Sequence, residues 1–385
     1  MYKGWNNFKE KIIGLKGLAA IGSADVIGSG ISAVFWLYLA SLINPENYGE
    51  IHYYLGIAGV ASYISLVGAQ NTIIVYSAKN VKIQPTLNFI SLIVGTISSL
   101  TIIFIFYRID AGIVLLGYII NTLAIGDLLG KRLYSNYTKY VLVQKILTLV
   151  LGIGFFYIFG VDGVIYALAI SYIFYIIRIY RVFKESKINF TLLKPRVGFI
   201  ANNYVMSLIG GFSGQIDKII IVPLLGFTIL GNYSLALQVV AVLMVFSGFV
   251  FKYLLPQDSI KNQNIKLRKI SIFVSGGIAV LSIILSPHII PTLFPNYVQV
   301  VDAIQIMSLG VISGTITILY TSKFLGLEKS KFVLIGSLLS LITIVIGIIL
   351  LGDIYGITGI AVAFVLSSSV NAVFLTTMNR IIKLK

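Results

Sequence analysis

Apolar residues run along this chain in long blocks, without the strict alternation of a strand or the single stripe of a surface helix. Twelve blocks are close to the roughly 20 residues that a helix needs to cross a bilayer. They cover about 15–43, 51–76, 86–107, 111–130, 141–160, 161–181, 198–222, 227–255, 269–290, 298–321, 332–352 and 356–379. A block that is hydrophobic all round predicts a helix surrounded by lipid or by other helices. Turn-forming residues stand between the blocks: Asn44-Pro45, Asp162-Gly163, Pro287, Pro291, Pro295 and Gly352-Asp353. The pattern predicts an all-α integral membrane protein with about twelve transmembrane helices.

Composition supports that prediction. Of 385 residues, 58% are hydrophobic and 11% are charged, too apolar for one water-soluble core. Cysteine is absent, which excludes disulfides, thiolate catalysis and Cys-based metal sites. His52 and His288 are the only histidines, so a His-rich metal site is excluded too. The first block is long and has no A-x-A-like site, so it reads as a span and not as a cleavable leader. No nucleotide loop, metal-ligand spacing or nucleophile elbow is present, and the loops assigned below to the outer side are short. The expectation is a protein that is not an enzyme and carries no cofactor or metal.

The net charge of +16 could point to nucleic acid, but its distribution points to topology. Of 29 lysines and arginines, all but Arg108 and Lys218 fall at every second joint or at a terminus. Glu46, Glu50, Asp162, Asp302 and Asp353 occupy the other joints. The positive-inside rule then places both termini in the cytoplasm and the chain in the cytoplasmic membrane, with membrane lipids as partners and no nucleic acid. Ahead of the first block, Trp5, Phe8 and Ile12 recur at helical spacing, as in a short interfacial helix; a frayed tail fits equally well.

Arg178, Arg181, Lys184, Lys187, Lys194 and Arg196 cluster from the end of the sixth block to the start of the seventh. They divide the chain into a six-helix half, 1–181, a basic cytoplasmic linker, 182–197, and a second six-helix half, 198–385. An offset of 182 aligns 42–65 with 224–247 without gaps and matches Leu42, Gly49, Leu55, Val60 and Ser65 to Leu224, Gly231, Leu237, Val242 and Ser247. Six spans per half means both halves run the same way. They would be related by a pseudo-two-fold along the membrane normal, with a central cavity between them.

Four short motifs in order carry a resemblance. Asn44-Pro45-Glu46-Asn47-Tyr48-Gly49 resembles the Gly-Pro-x-x-Tyr-Gly turn of the polysaccharide and lipid-linked oligosaccharide flippases, members of the multidrug/oligosaccharidyl-lipid/polysaccharide exporter superfamily. Asp217-Lys218 in span seven is similar to their Asp-Arg/Lys motif, Leu293-Phe294-Pro295-Asn296-Tyr297 to their Leu-Phe-Gly-x-x-Tyr turn, and Tyr355-Gly356-Ile357-Thr358-Gly359 to their Tyr-Gly-x-x-Gly turn. Asn44 and Pro295 each replace a usual glycine. The resemblance covers nearly the whole chain. It implies translocation of a polyprenyl-(di)phosphate-linked glycan from the inner to the outer leaflet by alternating access, with glycan-assembly enzymes as further partners. An ion-coupled drug or cation antiporter of the same superfamily is the alternative. It would favour acids in its cavity, and Asp25 supports it.

Charges at membrane depth are the candidate site residues, since each costs roughly 2.5–3.5 kcal/mol to insert. Asp127 lies four residues before Lys131, an ordinary i,i+4 pair. Asp25 in span one shares a helix face with Ser29, Ser32 and Trp36, and is the ion-coupling candidate. In span seven the corresponding face would carry Asn203, Ser207, Gly211, Gly214 and Lys218, with Lys218 equivalent to Trp36 at the 182 offset. Lys218 and Trp36 are therefore substrate-binding candidates, the ammonium for a diphosphate and the indole for a sugar. A structural ion pair is the other reading of Lys218, and close helix packing is the simpler reading of Gly211 and Gly214. Asp217, about 100° round the helix from Lys218, reads as a structural or interface acid. Gln70, Asn71 and Lys252 near cytoplasmic helix ends are candidates for first contact with the lipid headgroup; interfacial snorkelling accounts for Lys252 as well.

Overall fold

The computed structural model describes residues 2–259, 264–297 and 299–383. Lys261, Val298 and Lys385 lie outside these, as do the side chains of Trp5, Phe8 and Ile12. The described residues hold helices and turns and no strand. Fifteen α-helices follow in order: α1 (Tyr2–Leu42), α2 (Pro45–Leu66), α3 (Ala69–Ala78), α4 (Gln84–Phe106), α5 (Ile109–Gly130), α6 (Tyr134–Phe159), α7 (Asp162–Ile170), α8 (Ile176–Glu185), α9 (Val197–Ser213), α10 (Ile216–Leu243), α11 (Val245–Ser259), α12 (Ile265–Leu293), α13 (Val300–Gly326), α14 (Ser330–Gly347) and α15 (Asp353–Lys383).

Nine stretches are long and apolar enough to cross a membrane, and the bent pair α2–α3 makes a tenth. Two of the nine, Phe190–Leu243 and Ser330–Ile381, run to 54 and 52 residues. At 1.5 Å per residue each would reach roughly 80 Å, far beyond a bilayer core of about 30 Å. Each is interrupted by a glycine of left-handed φ, Gly226 at 83° and Gly356 at 58°. Divided there, the ten become up to twelve apolar segments by length and composition, near the expected positions.

Three elements differ from the pattern-based expectation. The N-terminal piece is continuous with span one in a single 41-residue helix, not a separate short one. Span two breaks by 46° at Val67-Gly68, where both residues have positive φ (48° and 69°). A Cβ at Gly68 would lie 2.7 Å from the Tyr204 nitrogen, so glycine is required there for space as well as for φ. Span six is interrupted by a 3-10 turn, Ile173–Tyr175. Asn44, in place of the family's glycine, caps α2: its Oδ1 accepts from the Asn47 nitrogen at 2.9 Å, with Pro45 at the first helical position.

The chain divides into two compact units, Met1–Phe35 with Ile57–Leu208 and Trp36–Gly56 with Ile209–Lys385. Helices α1, α2 and α9 run from one unit into the other. In the first unit α5 is the central helix, packed by α3, α4 and α7. Its Ala111, Val114, Leu115, Ile119, Leu123 and Leu128 are fully buried. In the second unit α13 holds that place against α10, α11, α12 and α15, with Ala303, Ile304, Met307 and Val311 buried. Each central helix is the fourth span of its six, which agrees with the internal repeat.

Two buried ion pairs tie helix ends within the units. Asp127, 1% exposed, accepts from Arg178 Nε at 2.6 Å and lies 3.1 Å from Lys131 Nζ. Lys131 also reaches Glu185 at 2.5 Å. The i,i+4 pair therefore exists, but its stronger partner is Arg178, a residue expected in the exposed basic loop. In the second unit Asp258 takes both Arg268 NH2, at 2.5 Å, and the Ser322 hydroxyl, at 2.6 Å.

Candidate functional site

In each unit a half-buried lysine lies near a carboxylate, Lys145 in the first and Lys218 in the second. In the first unit, Asp25 on α1 accepts a hydrogen bond from the Tyr137 hydroxyl at 2.6 Å. Tyr137 and Lys145 are two helical turns apart on α6, and the Lys145 ammonium lies within electrostatic range of Asp25. Gly28, one turn from Asp25, makes room for the lysine stem: a Cβ there would sit 3.2 Å from Lys145 Cγ. Asp25 is therefore not a lone acid, and Lys145 is not one of the lysines at the joint, where its position near the start of the fifth block had placed it. Ser29, on the same face, spends its hydroxyl on the Asp25 carbonyl at 2.6 Å.

In the second unit the expected stripe is broken. Gln215 has φ −139°, so the helix stops at Ser213 and restarts at Ile216. Lys218 therefore lies in the first turn of α10 and does not continue the Asn203–Gly214 face. Its ammonium donates to Gln215 Oε1 at 2.7 Å, a neutral oxygen, and its stem packs on α2 at Gly56, where a Cβ would lie 3.1 Å from Lys218 Cβ. One turn before Gly56 is His52, buried and within the field of Lys218. Trp36 lays one face on His52, with ring centroids 4.6 Å apart, and meets Tyr48 edge-on at 6.1 Å. His52 thus packs on Trp36 and lies within the field of Lys218. Tyr48 also packs on Tyr297 at 6.1 Å. Burial raises the pKa of the Tyr297 phenol, in the turn after α12, so it stays neutral.

Asp217 does not pair with the Lys218 ammonium. Its Oδ1 accepts from the Lys218 backbone nitrogen at 2.8 Å, and its Oδ2 from the Tyr233 hydroxyl at 2.9 Å. That second bond crosses the Pro223–Gly226 interruption and clamps the two pieces of α10. The same carboxylate lines a cavity of about 250 Å³ with Thr317, Ser340, Ser367 and Asn371. Thr317 Oγ1 and Asn371 Oδ1 are buried without a protein hydrogen-bond partner. A carboxylate among neutral oxygens suits a hard cation better than a transition metal. Among the described residues no group of three or more acids or histidines could hold a metal ion.

The remaining candidates are not brought together in one unit. Gln70 and Asn71 open α3 in the first unit, and Lys252 sits on α11 in the second. Four functional candidates emerge only from the structure: Tyr137, Lys145, His52 and Tyr297. The i,i+4,i+8 spacing of Tyr137, Val141 and Lys145 was a usable signal, since one helix face carries all three. Nothing in the sequence marked His52 as buried.

The sequence matches no protein-family model and no curated protein. Solved structures do match. The lipid II flippase MurJ, in an inward closed conformation, aligns over 94% of this chain and 87% of its own, with a TM-score of 0.77 and 12% identity. An inward-facing multidrug resistance MATE family transporter of the MOP superfamily aligns over 93% and 95%, with a TM-score of 0.70 and 16% identity. A MOP superfamily transporter from Pyrococcus furiosus, described by the reversed polarity of its binding pocket, aligns over 95% of both chains at a TM-score of 0.59 and 15% identity. The chain has the all-helical fold of the MATE and MurJ transporters.

Proposed function

We propose that this chain is a multi-pass transporter that moves a polyprenyl-(di)phosphate-linked glycan from the inner to the outer leaflet by alternating access. The observation that carries the reading is Lys218, a lysine at membrane depth whose ammonium is bonded to a neutral oxygen and whose charge is felt by His52, the ring on which Trp36 packs. A cation held without a carboxylate in contact is available to a phosphate that must be bound and then released. The fold shared with a lipid II flippase supports this substrate class. Membrane lipids and the enzymes that assemble the glycan are its partners in this reading. The deciding experiment is glycolipid analysis of a strain lacking the protein: a lipid-linked glycan accumulating on the cytoplasmic face supports it, and an unchanged glycolipid profile with altered drug sensitivity supports antiport.

Antiport is the second reading, favoured by Asp25. Its hydrogen bond from Tyr137, with Lys145 in electrostatic range, makes a site where a proton could be exchanged. Asp25→Asn is expected to abolish the gradient dependence of transport in proteoliposomes while the protein reaches the membrane at its normal level. A purely structural Asp25 predicts lower protein levels instead, restored by the double variant Asp25→Asn with Lys145→Gln. Gradient dependence that survives Asp25→Asn but is lost in Asp217→Asn moves the coupling ion to the Asp217 cavity.

Both termini and the basic joints are proposed to face the cytoplasm. The cysteine-free background makes this testable. Single cysteines at Asn47, Asn296 and Asp353 should react with an impermeant maleimide in intact cells, and one at Ser186 should not. The reverse pattern inverts the topology.

A further inference from the structure

The basic linker after α8 is docked along the first unit. The Asn189 nitrogen donates to Thr86 Oγ1 at 2.9 Å, where α4 begins, and the Thr86 hydroxyl donates back to the Asn189 carbonyl at 3.2 Å. Phe190 meets Phe89 edge-on, one turn further along α4, with ring centroids 6.3 Å apart. Arg196 lies 4.9 Å from the centre of the Tyr76 ring on α3. Together with the end of α8, the linker closes a cavity of about 400 Å³ against the α3–α4 turn. Its lining includes Ser77, Lys82, Gln84, Lys131, Glu185 and Ser186, all within the first unit. That volume lies in the range of small-molecule pockets. One wall is rigid: Ser77 and Gln84 are buried and bonded to each other at 2.7 Å, and α5 approaches so closely that a Cβ on Gly130 would lie 2.6 Å from Ser77 Cβ.

The charges around this cavity do not cancel. Arg178 holds Asp127, and Lys131 is shared between Asp127 and Glu185, so two acids take up two bases. Lys82 lines the cavity too, is exposed, and has no ion-pair partner among the described residues. One positive charge is left over, beside the hydroxyls of Ser77 and Ser186. The first turn of α4 also opens here without a side-chain cap, and its dipole adds to that charge. Such a setting repels a cation and suits a group with a single negative charge, as a phosphodiester has. The surroundings are those of a membrane interface. On α8 and the linker, Ile177, Tyr180, Ile188 and Phe190 are exposed among Arg181, Lys184 and Lys187. Apolar side chains interleaved with bases at a helix end sit at headgroup depth.

We propose that this cavity binds a phosphate group, carried by a phospholipid of the leaflet that the basic joints face. Lys82 supplies the charge, and Ser77 and Ser186 supply hydroxyl donors. The test uses the purified full-length protein in detergent, with bound lipid counted by native mass spectrometry. Phosphatidylglycerol should be retained at one copy, and diacylglycerol, which lacks the phosphate, should not. Lys82→Gln should weaken that binding about tenfold, as expected for the loss of one hydrogen bond to a charged group. Lys329→Gln, at an exposed lysine of a basic joint in the second unit, should leave it unchanged. Ser186→Phe fills the cavity without altering a charge and should displace the lipid as well. Inorganic phosphate distinguishes the sources: if it raises the thermal midpoint through Lys82 while phosphatidylglycerol does not bind, the phosphate site stands and its occupant is soluble. Phosphatidylglycerol binding that survives either Lys82→Gln or Ser186→Phe overturns the site, and so does an equal loss in Lys329→Gln. Neither a glycan nor an ion gradient enters the assay, so failure of the transport reading leaves the result standing.

Discussion

Lys218→Glu is expected to abolish export while the protein still reaches the membrane. The ammonium rests against Gln215 and the methylene stem against Gly56, so the site holds a long side chain whatever its charge. A carboxylate placed there repels a phosphate in a region of weak screening. Lys218→Arg keeps the charge and should keep most export. Lys218→Gln loses a charged hydrogen bond worth about 1.5–3 kcal/mol, so export should fall roughly 10- to 150-fold. The measurement is transport of lipid-linked glycan at matched protein levels. Full export by Lys218→Gln removes the lysine from the substrate site. Loss of the protein itself in both Gln and Glu variants would show that Lys218 is a structural charge.

Arg178→Ala should be the most damaging single change to stability. Asp127 is almost wholly buried, and Arg178 approaches its carboxylate through both Nε and NH2. Without the guanidinium, the carboxylate keeps only Lys131 at 3.1 Å, which Glu185 also draws away. Removing one member of a buried pair costs about 3–5 kcal/mol, a large part of the stability of a typical fold, about 5–15 kcal/mol. Membrane expression and the thermal midpoint in detergent should both fall. Asp127→Asn combined with Arg178→Gln should recover much of the loss, because no unpaired charge remains. A double variant as unstable as Arg178→Ala would show that the arginine acts through packing and not through charge.

The two results test different layers of the molecule, and they were unequally legible. The spans were readable because lipid imposes a rule on every residue of a crossing helix: block length, turn residues and alternating bases all answer to one solvent. The repeat was readable for the same reason, and the structure restarts its helices at Pro45 and after Gly226, positions 182 apart.

The site was less legible. Lys218 stood out because a charge inside an apolar run is conspicuous. Lys145 did not, because it sits four residues into its block and looks like a snorkelling end. Arg178 was hidden in a cluster of six bases, of which only the fold shows one turned inward onto Asp127. His52 carried no signal at all: whether a lone histidine is wet or buried depends on its neighbours Trp36, Tyr48 and Lys218, which come from three different helices.

By itself, then, the sequence determined that this is a helical membrane protein, roughly where its helices begin and end, and that it contains a parallel repeat. Those properties follow from local composition repeated over 20-residue lengths. The tertiary structure alone decided which charges are paired, where Gly68 and Gln215 interrupt the helices, and which residues surround His52. Those depend on contacts between segments distant in the chain, where one ångström of helix approach separates a bonded charge from a free one, and no local pattern encodes that distance.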